Sequence, residues 1–77
     1  MTRSSFLRAM EEILGAATRS LREEDSRETV AQWTSLADVK IFALITSEFG
    51  VDADDELIAA ETVGDLLRIL QNHGCFT

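Results

Sequence analysis

From Trp33 to Val51 the chain reads W-T-S-L-A-D-V-K-I-F-A-L-I-T-S-E-F-G-V. Thr34 and Ser35 can each cap a helix, because a side-chain hydroxyl accepts a hydrogen bond from a backbone N–H of the first turn. Behind them Leu36, Val39, Ile41, Phe42, Ala43, Leu44, Ile45 and Phe49 make an apolar run at helical spacing. Gly50 closes the run, since glycine takes the left-handed conformation in which many helices end. The helix predicted from Ser35 to Phe49 therefore presents one hydroxyl at its positive end. Its apolar stripe is wider than one buried face requires, so part of it is expected to meet a partner or a ligand.

The flanking segments complete an all-α pattern. Phe6, Met10, Ile13, Leu14, Ala17 and Leu21 follow one stripe and predict a first helix over roughly residues 4 to 20, capped by Ser4 or Ser5. Arg22 to Trp33 is charged, then weakly apolar, and reads as a surface connection pinned to the core by Val30 and Trp33. Asp52, Asp54, Asp55 and Glu56 form an acidic turn ahead of a short third helix around Leu57 and Ile58. In Thr62-Val63-Gly64-Asp65 an acid follows a threonine by three positions, the signature of a capping box. Val63, Leu66, Leu67 and Leu70 then carry a final helix to about Asn72, with Gly74 just beyond it. With no proline and little β-alternation, the expectation is a small four-helix bundle, residues 1–77 forming one domain, with a long first connection and a short third helix.

Composition narrows the function classes. A chain of 77 residues buries only somewhat more than about 60% of its unfolded surface, so every helix must share one core. A net charge of −7, from 14 acidic against 7 basic side chains, repels phosphate backbones and anionic lipid. Nucleic acid and membrane surfaces are therefore not expected partners, whereas proteins with basic patches are. One cysteine, Cys75, and one histidine, His73, supply neither an internal disulfide nor a His/Cys metal cluster. The pair flanks Gly74 with nothing to orient a base and a nucleophile, and reads as frayed terminal residues. Asp52, Asp54 and Glu56 alternate like the start of a calcium loop, but Leu57 takes its glycine position and no glutamate closes it. The expected setting is a soluble cytoplasmic monomer, without signal peptide or transmembrane run.

The W-T-S-L opening, the E-F-G-V ending, the acidic turn and the T-V-G-D opening of the last helix together resemble the acyl carrier and peptidyl carrier protein family. The resemblance covers about the last two thirds of the chain. It implies a bundle of the acyl-carrier type that carries 4'-phosphopantetheine, transferred from coenzyme A to Ser35, whose thiol holds an acyl or aminoacyl thioester. It further implies a non-catalytic protein served by a phosphopantetheinyl transferase, an acyl- or aminoacyl-loading ligase and downstream biosynthetic enzymes. Thr34, Leu36, Asp38, Val39, Phe42 and Ala43 are the implied partner-facing set. Thr34 departs from the pattern, for the family usually has an aspartate there that the transferase recognises. Asp38 and Glu48 are offset by Lys40, so the acidic docking face of that helix is thinned, and seven acids crowd instead between Glu48 and Asp65 without a Lys or Arg. A specialised carrier, in a secondary-metabolite or modified-lipid pathway, is expected over a fatty-acid housekeeping one.

Plainer readings stand beside this one. Ser35 with Asp38 satisfies a capping box and Thr34 is an equally good cap, so both hydroxyls have a purely structural use. Trp33 reads as a packing anchor, and Phe42 as a core residue as readily as a docking one. The different-class alternative is a carrier-like interaction module that is never modified.

Overall fold

Thr2, Thr34, Asp54 and Thr62 each hold an extended backbone and turn a side-chain oxygen toward an N–H three residues ahead. They open the four helices among the described residues of the computed structural model, which are residues 1–76: α1 (Arg3–Leu14), α2 (Ser35–Phe49), α3 (Asp55–Ala59) and α4 (Val63–Asn72). No strand occurs among these residues; a single antiparallel bridge joins Ser26 to Thr62. The chain is thus all-α, and none of its described helices is long and apolar enough to cross a membrane.

α1 is shorter than its apolar spacing predicts and begins at Thr2, not at Ser4 or Ser5. Gly15 stops it by taking φ +67°. The Gly15 N–H then donates to the Glu12 carbonyl at 3.3 Å and the Ala16 N–H to that of Glu11 at 2.8 Å, the paired bonds of a Schellman ending. Leu21 still reaches the core, but from the connection, and Ala17 is exposed. The helical stripe misled because a loop returning over the helix end supplies the same apolar contacts as another turn of helix.

The remaining elements fall where the spacing puts them. α2 ends at Gly50, φ +68°, whose N–H donates to the Thr46 carbonyl at 2.9 Å. Asp54, from the acidic turn, caps α3 by accepting the Leu57 N–H at 2.9 Å. Thr62 and Asp65 form the full reciprocal capping box of α4. Phe6, Met10 and Leu14 of α1 meet Ile41 and Ile45 of α2, Leu57 of α3 and Val63, Leu66, Leu67 and Leu70 of α4 in one core. Trp33 is buried with them and Val30 packs alongside, so both pin the connection as expected.

From His73 to Phe76 the chain is held by contacts, not left as the frayed end the sequence suggested. Gly74 at φ +70° lets the Cys75 N–H donate to the Leu70 carbonyl at 3.0 Å. Phe76 then joins Phe6 and Phe49 in a three-ring cluster with centroids 5.7 to 6.1 Å apart, the spacing that edge and tilted aromatic pairs favour.

The connection is fastened at both ends. The Val63 and Gly64 N–H groups, the first two of α4, donate to the carbonyls of Asp25 at 3.0 Å and Glu23 at 2.8 Å. With Asp65 N–H on Thr62, the orphan donors of this helix start are used to dock the connection.

Candidate functional site

Ser35 is the first residue of α2 and is exposed. Of the two caps open to the sequence, the fold uses Thr34: its Oγ1 accepts the Ala37 N–H at 3.4 Å. The reciprocal box between Ser35 and Asp38 does not form. The Ser35 hydroxyl makes no hydrogen bond among the described residues, and the Ser35 and Leu36 N–H groups likewise find no protein acceptor.

Asp38 is occupied elsewhere. Its Oδ2 accepts Arg27 Nε at 3.0 Å, and its Oδ1 accepts Arg27 Nη2 at 2.8 Å and Trp33 Nε1 at 2.7 Å. This is the fork-on-carboxylate geometry that makes arginine pairs strong and directional. Arg27 Nη1 also donates to the Ala60 carbonyl at 3.1 Å, and its guanidinium carbon lies 5.1 Å from the Trp33 ring centroid. One arginine thus ties the first connection, the first turn of α2 and the α3–α4 junction together. Asp38, on the implied partner-facing set, is spoken for inside the molecule.

The apolar members of that set divide. Leu36 and Val39 are 65% and 64% exposed, which answers the excess width of the α2 stripe. Ile58 on α3 is exposed as well. Ala43 is exposed, whereas Phe42 is half-buried and packs against the core. Thr34 is exposed beside Ser35 despite its capping bond. Lys40 of α2 forms no ion pair among the described residues and is exposed.

Several other chemistry-bearing groups are committed to the fold. A hollow of 430 Å³ between α1, the connection and α4 has no α2 residue in its lining. Its two arginines are paired, Arg3 with Glu23 at 2.7 Å and Arg68 with Asp65 at 3.0 Å. Burial pushes the Cys75 thiol up from its ordinary value, away from the thiolate that nucleophilic work needs. The N–H groups of Glu61 and Thr62, with Arg68, hold the Asp65 carboxyl down.

Arg27 and Glu11 are two residues that sequence reasoning passed over. Arg27 sits in a charged stretch with no periodicity, and its partners lie 6, 11 and 33 positions away in sequence, as Trp33, Asp38 and Ala60. Glu11 lies on a helix face otherwise assigned to the core and is 2% exposed.

No family model, no curated protein and no solved structure matches this chain.

Proposed function

We propose that this all-α protein has the acyl-carrier arrangement and works as a stand-alone acyl or aminoacyl carrier, modified at Ser35. The observation that carries the reading is the free Ser35 hydroxyl at the start of α2: Thr34 does the capping, so the serine oxygen is left with no structural task. The residues present suit 4'-phosphopantetheine attachment. An exposed hydroxyl is available for a phosphodiester, and two uncommitted N–H groups at a positive helix end favour an anion there. When bound, that group supplies a thiol able to hold an acyl chain as a thioester.

The chain's own part is to tether and to be recognised, not to catalyse. Leu36 and Val39 offer apolar contact beside the attachment residue, for a transferase, a loading ligase and later biosynthetic enzymes in turn. Tethering raises the effective concentration of cargo at each of them. Because Arg27 neutralises Asp38, the acidic docking face of α2 is thinner than its sequence suggests. That supports a specialised pathway, secondary-metabolite or modified-lipid, with partners fitted to this surface.

Thr34, in the place of an aspartate, favours a second reading: an unmodified interaction module that docks through Leu36 and Val39. Intact mass after incubation with coenzyme A and a broad-specificity phosphopantetheinyl transferase separates the two. One phosphopantetheine increment, mapped by fragmentation to the peptide holding Ser35, is the carrier's result.

A further inference from the structure

We propose that Arg27, acting with Trp33, sets the capping register of α2: by holding Asp38 away from the helix start, it makes Thr34 the cap and leaves the Ser35 hydroxyl free. Two caps compete in this sequence. In one, Thr34 takes the Ala37 N–H. In the other, Ser35 takes the Asp38 N–H while the Asp38 carboxylate returns to the Ser35 N–H, the same reciprocal arrangement that Thr62 and Asp65 make on α4.

On donor count the two registers are even: with Thr34 as the cap, its Oγ1 takes the Ala37 N–H and its carbonyl the Asp38 N–H, whereas the alternative takes the Asp38 and Ser35 N–H groups. The cap that does form is the longest of the four, 3.4 Å against 3.0 Å at Thr2, 2.9 Å at Asp54 and 3.1 Å at Thr62. What holds Asp38 back is its grip by Arg27 Nε and Nη2 and by Trp33 Nε1. Arg27 cannot follow the carboxylate, because its third nitrogen is on the Ala60 carbonyl and its plane is over Trp33. Arg27 is a positioning residue; the effect on modification rests on the proposed carrier function, whereas the register does not.

Carbon chemical shifts of Thr34 and Ser35 in solution distinguish a cap from a helical residue without any modification chemistry. The wild type is expected to show Thr34 as the cap. In Arg27→Gln the Ser35 shifts move toward cap values, and phosphopantetheinylation slows by up to about five-fold, the shift in register equilibrium that an ordinary cap produces. In an Asp38→Ala background, where no box can form, Arg27→Gln has no further effect on either readout. Trp33→Phe, which deletes one donor to Asp38, gives a smaller shift in the same direction and serves if Arg27→Gln loses helix content. Unchanged Ser35 shifts in Arg27→Gln and Trp33→Phe overturn the proposal, and a changed register with an unchanged rate overturns its effect on modification. If the shifts move but the wild type accepts no phosphopantetheine, the register assignment stands and the carrier reading falls.

Discussion

The Glu11 carboxylate accepts the Leu21 backbone N–H at 3.0 Å, across ten residues of chain. This bond stands where the sequence spacing puts further turns of α1. Its carboxylate also pairs with Arg8. The loop it fastens is bent hard enough to place Arg19 at φ +65°, a left-handed conformation that non-glycine residues adopt at a cost. Burial on its own raises a carboxyl, but hydrogen bonds from Leu21, Arg8 and Arg19 outweigh it and hold Glu11 below its ordinary value.

Glu11→Ala leaves the Leu21 N–H buried and unpaired, and frees the Arg19 turn to relax. A loss of about 1–3 kcal/mol is expected, the usual cost of an orphaned buried donor or acceptor. Urea unfolding followed by far-UV circular dichroism measures it; a midpoint equal to wild type would mean that water replaces the carboxylate.

The same two depressed carboxyls, Glu11 and Asp65, predict how stability follows pH. Both sit lower in the fold than in the unfolded chain, so on acidification the unfolded chain binds protons first. Their contribution is therefore complete above the unfolded values and is lost as pH falls through the lower folded ones. Unfolding midpoints taken from pH 6 down to pH 3 should fall, and Asp65→Asn should flatten that slope. An equally steep slope in the variant would place the acid sensitivity in other carboxylates.

Helix positions and the final capping box were legible because they depend on residues within one turn of each other, as in Thr62 and Asp65 or Phe49 and Gly50. The end of α1 was not, since Leu21 satisfies the helical stripe from a loop and only the Glu11 contact reveals it. At the candidate site the helix start at Thr34 and Ser35 was readable from spacing, whereas Ser35 as an attachment residue and Leu36 and Val39 as a contact face came from the family resemblance. Which hydroxyl caps α2 was not legible, for that choice depends on Arg27 and Trp33, whose approach to Asp38 is tertiary.

Gly64 is favoured by close approach, not by its dihedral. A β-carbon there would lie 3.2 Å from the Glu23 carbonyl oxygen and 3.3 Å from its β-carbon, the same carbonyl that accepts the Gly64 N–H. Gly64→Val must push the connection outward and weaken that bond. A destabilisation of about 1–3 kcal/mol is expected, in the range of an overpacked contact. Thermal unfolding reads it, and faster hydrogen exchange at residue 64 and at Val63 would locate the loss at the docked connection. Exchange unchanged there would show that Glu23 yields without cost.

Thr34 caps α2 while the Ser35 hydroxyl bonds nothing among the described residues, so on the proposed carrier reading their variants should separate stability from modification. Thr34→Ala removes the cap and should cost about 1 kcal/mol, whereas Ser35→Ala removes a hydroxyl that bonds nothing and should leave the unfolding midpoint close to wild type. Labelling with coenzyme A and a transferase should show the reverse preference, with Ser35→Ala abolishing it. Thr34→Asp keeps a capping oxygen and adds an anion at the positive helix end, so stability should hold or rise by up to about 1 kcal/mol. By restoring the acid of the carrier pattern, it should also speed modification by a general transferase. Label persisting in Ser35→Ala would move the attachment to another residue. Wild type and Thr34→Asp both unlabelled, with their folds intact, would make the exposed Leu36 and Val39 face the working part of an interaction module.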